Sequence, residues 1–213
     1  TGREDRPGEG RGKWGEGGFE GMCGMSIRGI AWSWNATDED WWPPYPCDRY
    51  VDGPHREMMR AVDIQAPADV AYRWVCQLQV APYSYDWLDN WGRRSPRQLT
   101  PGADHVALGQ SFLIGPIVEF TEGRHLTAVI EPPHSRVFGA CSITYSVKST
   151  GPASCRLVVK LDVPSRTRRE RIRAFLLAWG DLIMMRKQLL TLKALAEDMA
   201  RQEAPADLAG VGA

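Results

Sequence analysis

"TRRERIRAFLLAWGDLIMMRKQLLTLKALAEDMARQ", residues 167–202, contains no proline, and Phe175, Trp179, Leu182, Met185, Leu189, Leu192, Leu195 and Met199 recur in it at steps of three or four. That spacing predicts one long amphipathic helix. The charges of "RTRRERIR" and "RKQ" fall on its other side and read as a solvated face. An apolar stripe of that length needs an apolar partner of similar extent, so what precedes the helix decides the fold.

Upstream, residues 108–163 supply such a partner. The runs "SFLIG", "IVEFT", "HLTAVIE", "RVFGA", "SITYSVK" and "RLVVKLDV" follow one another, punctuated by Gly115 and Pro116, by Pro132 and Pro133, and by "STGPAS". Short connections between successive strands imply an antiparallel meander. Ile143, Tyr145 and Val147, like Leu157, Val159 and Leu161, share one parity. Ser142, Thr144, Ser146 and Lys148, with Arg156, Lys160 and Asp162, take the other, which predicts one dry and one wet face. Further back, "MMRAVDIQA" from Met58 alternates as a half-buried strand. Pro67 then suits a first helical turn, and Val70, Trp74 and Leu78 line one helical face before Pro82. "APYSYDWLDNWGRRSP", residues 81–96, reads as a second short helix with Trp87, Leu88 and Trp91 on one side. Its Asp86 and Asn90 are placed to cap backbone or to pair with Arg93 or Arg94.

Residues 26–57 hold Trp32, Trp34, Trp41 and Trp42 among four prolines, which excludes a long helix or a central strand; they form an aromatic arm pinned to the domain surface. Thr37 ahead of Asp38, Glu39 and Asp40 marks a short helix start within it. Residues 1–25 are Gly-rich and charged and are expected to be a disordered or artefactual extension, with Met22 or Met25 as a plausible start; residues 203–213 are expected to be a disordered tail. The domain proper is 58–202.

Composition narrows the function. The 213 residues are 43% hydrophobic, enough for one core, and 26 basic side chains balance 26 acidic ones. With no net field, nucleic acid is not an expected partner. No apolar run approaches the roughly 18 residues of a membrane span, and no secretory leader is visible. The five cysteines (Cys23, Cys47, Cys76, Cys141, Cys155) lack C-x-x-C spacing and read as buried thiols in a reducing compartment, so the cytoplasm is the expected location. His55, His105, His125 and His134 show no i, i+4 pair of a helical zinc site, and no metal is expected. Neither a phosphate loop nor a G-x-S-x-G elbow occurs, so no cofactor and no hydrolytic triad is expected.

Strand, two helices, six strands and a long helix form the helix-grip order, an α+β class in which a curved antiparallel sheet of about seven strands wraps a C-terminal helix. "NATDED", "RAVDIQAPADVAYRWVCQL", "YSYDWLDNWGRRSPRQL", the strand led by Gly109, and "LAWGDLIMMRKQLLTLKALAE" resemble the bacterial SRPBCC proteins. That superfamily is START- and birch-allergen-like and includes polyketide aromatase/cyclases. The resemblance runs from about residue 31 to 200 and implies a hydrophobic small-molecule partner held between sheet and helix.

A helix about 10 Å above a bent sheet leaves a hollow wherever side chains do not fill it. Its expected sheet walls are Phe112, Ile114, Phe120, Leu126, Ile143, Tyr145, Val159 and Leu161. From the helix, Trp179, Leu182 and Met185 complete it, with Met184 beside them as an adaptable surface. Tyr83, Tyr85 and Trp87 suit a rim that is dry at one end and wet at the other. Three readings stay open: a carrier of a lipid- or polyketide-like ligand, an aromatase/cyclase or dehydratase acting on such a chain, and an interaction module with a filled core. His125 and Glu119 are the candidate acid/base groups, although alternation turns both toward water.

Overall fold

The computed structural model describes residues 27–85, 92–113, 115–130, 135 and 139–203. The expected extension at 1–25, the core of the second helix at Asp86–Trp91, Ile114 and the tail from 204 lie outside them.

The arm comes first: α1 (Ile27–Trp32), the two-residue β1 (Ser33–Trp34), α2 (Asp38–Trp41) and a 3-10 turn (Pro46–Arg49). Then follow β2 (His55–Ile64) and α3 (Ala68–Cys76), the latter entered through Pro67 at its N-cap. β3 (Ser111–Phe112), β4 (Gly115–Thr121), β5 (His125–Val129), β6 (Ser142–Gly151) and β7 (Ser154–Pro164) precede α4 (Arg168–Glu203). One seven-stranded sheet results, in the order β1-β2-β7-β6-β5-β4-β3. Every pairing is antiparallel except β1 with β2. With α4 laid across the curved sheet, this is the helix-grip fold.

The strand count comes out at seven by a different route from the sequence expectation. β5 pairs directly with β6, from His125↔Ser146 to Val129↔Ser142. Residues 136–138 of the expected "RVFGA" strand lie outside the described residues, while Gly139 and Ala140 are not in a strand. The seventh strand is β1, which the arm lends to the sheet edge in register Ser33↔Met59. β3 keeps only Ser111 and Phe112 of "SFLIG": Leu113 turns to φ 56, and Gly115 already belongs to the antiparallel β4.

α4 starts on a capping box. Thr167 Oγ1 accepts from the Glu170 amide at 3.1 Å, and the Thr167 amide donates to Glu170 Oε2 at 2.9 Å. Good helix formers carry it through 36 residues, about 54 Å at 1.5 Å per residue. Its buried stripe is Ala174, Ala178, Leu182, Met185, Gln188, Leu189, Leu192 and Leu195. The helix packs chiefly on β2, β7, α1 and α3, so the β3–β6 half of the dry face is only partly covered.

The other face of the sheet departs from the expectation of a wet surface. Ser142, Thr144 and Asp162 are 0% exposed and Lys160 5%, because the arm lies over them. Cys47 in the 3-10 turn is clasped there: its amide donates to Thr144 Oγ1 at 3.0 Å and its carbonyl accepts from Ser142 Oγ at 2.9 Å. Tyr45, Cys47, Met59, Ala61 and Val158 form a second small core under this cover. This parity is polar as the alternation predicts, but Ser142 and Thr144 satisfy buried arm backbone instead of facing solvent.

Candidate functional site

Where α4 leaves the sheet uncovered there is a cavity of about 620 Å³, open on one side, with exposed Val80 and Leu176 at its rim. Phe112, Gly115, Ala128, Ile143, Tyr145 and Leu161 form the sheet wall. Leu177, Gly180, Met184 and Met185 form the helix wall, and residues 78–82 with Ser84 close one end. Gly115 is required in that wall. A Cβ built there would lie 1.9 Å from the Val129 carbonyl oxygen, so any side chain would push β4 away from β5.

Of the residues expected at the site, Phe112, Tyr145 and Met185 line the cavity, as do Ile143, Leu161 and Met184. Phe112 and Tyr145 meet edge to face, with centroids 5.4 Å apart. Leu182, Leu126 and Val159 are buried, and Phe120 and Trp179 half-buried against the core; none of these is among the cavity-lining residues. Tyr83 lies 1% exposed, edge-on to Trp74, with its hydroxyl accepting from Gln77 Nε2 at 3.1 Å. Half-buried Tyr85 is next to the wall residue Ser84. Trp87 and Ile114 lie outside the described residues. Glu119 and His125 are away from the cavity, 3.8 Å apart, with Glu119 held by Arg49 of the arm at 2.5 Å. Burial and the nearby Arg49 and Arg124 hold the His125 ring below its ordinary pKa, against the pull of Glu119.

Beside the expected Tyr145, the cavity wall carries polar groups that the sequence expectation does not include, Gln188, Asp181 and Arg173. Tyr145 donates its hydroxyl proton to Gln188 Oε1 at 2.6 Å, and Gln188 Nε2 donates to the Pro82 carbonyl at 2.6 Å. That chain ties β6, α4 and the turn after α3 together at one end of the cavity. Asp181 also lines the wall, its Oδ2 3.1 Å from Arg60 Nη2. Arg60 is 1% exposed; its Nη1 donates to the Met59 carbonyl and its Nη2 to those of Ala31 and Ala178, while its Nε has no partner among the described residues. Burial outweighs the pull of Arg60 and leaves the Asp181 carboxyl raised to about 6. Tyr145 is pushed well above the usual phenol range by its burial and by the charge on Asp181. Arg173 stands on the same wall, its guanidinium against Gly139, where a Cβ would come within 2.8 Å of it.

A signal for Asp181 and Gln188 was present in the sequence. They lie seven residues apart within the stripe Ala174, Ala178, Asp181, Met185, Gln188, Leu192, where polar side chains are out of place unless something satisfies them. Arg60, between Met58 and Val62 in an apolar strand, carries the same signal.

No family model and no curated protein matches the chain. Solved structures do. A Thalictrum flavum norcoclaurine synthase point mutant in complex with a transition-state analogue is 16% identical, over 70% of this chain and 98% of that one, with a TM-score of 0.44. A structural-genomics protein from Mesorhizobium loti is 15% identical over 67% and 98%, with a TM-score of 0.44. A di-domain ARO/CYC from the steffimycin biosynthetic pathway is 11% identical over 69% of this chain and 52% of its own length, with a TM-score of 0.43. By its own strand order and terminal helix the chain is a helix-grip protein, the fold to which the SRPBCC resemblance pointed.

Proposed function

We propose that this protein binds a small, largely apolar molecule of lipid or polyketide type, with one polar group, in the cavity between the sheet and α4. The observation that carries the reading is the unfilled space itself. About 620 Å³, walled by Phe112, Ile143, Leu161, Leu177, Met184 and Met185, is within the range of small-molecule sites, roughly 300–1,000 Å³. The adaptable thioethers and the open rim favour a flexible guest. Its polar group would meet the end where Tyr145, Gln188 and Asp181 converge.

Asp181 favours a second reading, catalysis of an aldol-type closure or dehydration on the bound chain. A carboxyl midpoint near 6 on a dry wall suits it to accept and return a proton near neutral pH, while the walls hold the substrate in one conformer. A reducing, cytoplasmic setting is consistent with four buried thiols among the described residues.

Native mass spectrometry of protein purified from its own host, with titration by an apolar naphthalene fluorophore, tests the binding reading. One equivalent is expected to bind to the wild type and none to Ala128→Trp, which fills the sheet wall. If the wild type takes up nothing, or the blocked variant takes up as much, the cavity is not a binding site. The catalytic reading requires Asp181→Asn to bind as before and lose turnover.

A further inference from the structure

On the arm side of the sheet, the face opposite the cavity, Asp162 presents an unsolved charge. It pairs across the sheet with Glu57 of β2 and Ser142 of β6, is 0% exposed, and neither carboxylate oxygen has a hydrogen-bond partner among the described residues. Around it stand two sets of ligand-type atoms, each mutually within 4.8 Å: His55, Glu57 and Asp162, and Cys47, Asp48 and Asp162. Lys160 does not discharge the cluster. Its ammonium engages Asp48 Oδ1 at 2.8 Å and Glu57 Oε1 at 2.6 Å. With the three carboxylates ionised against that one ammonium, 3 − 1 leaves two negative charges under the arm.

We infer that His55, Glu57 and Asp162 form a binding site for a divalent transition-metal cation, zinc being the best fit. The charge alone would be met equally well by a proton on Asp162. A protonated carboxyl, however, carries an O–H that needs an acceptor and an oxygen that needs a donor, and neither oxygen makes a hydrogen bond among the described residues. A cation supplies both the counter-charge and the missing contact. His55 is prepared for the role: its Nδ1 lies 2.9 Å from the Gly53 carbonyl, so in the neutral ring Nδ1 donates and Nε2 carries the lone pair. A backbone carbonyl on the far ring nitrogen is the usual outer partner of a metal-bound histidine. One imidazole nitrogen with two carboxylates suits zinc, and the exposed side at Glu57 leaves room for water as a fourth ligand. Buried Cys47, its thiol held protonated by burial and by Asp162, is a neighbour and not a ligand in this arrangement.

The spacing 55, 57, 162 shows no metal motif, because the site is assembled by strand pairing. Its place is structural, at the start of β2 where the arm turns back onto the sheet. The test is zinc titration of chelator-treated full-length protein, read by calorimetry and by thermal unfolding, with magnesium as the control. One equivalent of zinc is expected to bind and to raise the melting temperature. His55→Gln should weaken binding at least ten-fold, and Asp162→Asn should abolish it. Should Asp162→Asn fail to fold, partly exposed His55→Gln decides alone. No saturable uptake by the wild type, or equal uptake by wild type and variants, overturns the site.

Discussion

Asp181 stands at a position where its helix, Gln188 apart, presents alanine, leucine and methionine, and the pH behaviour of the protein should carry its mark. Its folded midpoint of about 6 lies above the ordinary 3.8 because burial disfavours the anion more than Arg60 favours it. A group raised in this way holds its stabilising contribution in full below 3.8 and loses it as pH climbs through about 6. Asp40 and Asp48 act in the opposite sense, since both are held below 3.8; their contribution is present above that value and is lost on acidification. Unfolding free energy should therefore fall between pH 3.8 and about 6 by an amount that Asp181→Asn reduces, the remainder coming from Asp162, which burial raises to the same value. The side-chain carboxyl carbon of Asp181, followed by NMR, should titrate near 6. A midpoint at the ordinary value, or an unchanged slope in the variant, would remove Asp181 as the polar anchor of the cavity. The stripe made Asp181 visible as an anomaly, but the partner that explains it, Arg60, sits 121 positions earlier on a different element. Spacing within one helix carries no information about that distance.

Elements were legible in proportion to their periodicity. β6, β7 and α4 appear where alternation and the three-to-four spacing place them, because each buries one continuous apolar set. β1 was not legible, since two residues of a proline-broken arm have no period and owe their strand geometry to the edge of β2. The arm is nonetheless fastened by defined contacts. Asp40, 3% exposed, closes the capping box of α2 through the Thr37 amide at 2.8 Å. It also accepts from Arg156 Nη2 at 2.7 Å and Nε at 3.1 Å. Arg156 keeps Asp63 Oδ1 at 2.6 Å as a second partner, so Asp40→Ala, which removes the cap and half of the ion-pair network, should cost about 2 kcal/mol in urea unfolding. The variant should also become sensitive to proteolysis between residues 35 and 54. Native-like resistance would mean that the arm is held by its aromatic contacts instead.

Across the whole molecule, the described cysteines sample four separate regions: Cys47 in the arm, Cys76 in α3, Cys141 before β6 and Cys155 in β7, each at most 1% exposed. Burial pushes the Cys76 and Cys141 thiols up to about 12 and Cys155 to about 11. Alkylation of the native protein should be slower than that of the unfolded chain by about 10³-fold or more, with all four sites labelled together. Early labelling of Cys47 would show instead that the arm opens as a unit of its own. The clasp on Cys47 also has a consequence for how the protein is made. Its two holders, Ser142 and Thr144, are 95 and 97 residues further along the chain. During synthesis the arm thus leaves the ribosome with no seat, and it must wait until most of the sheet has emerged. A pause or a cut anywhere in that interval strands an aromatic-rich arm with exposed tryptophans, the kind of surface that chaperones hold.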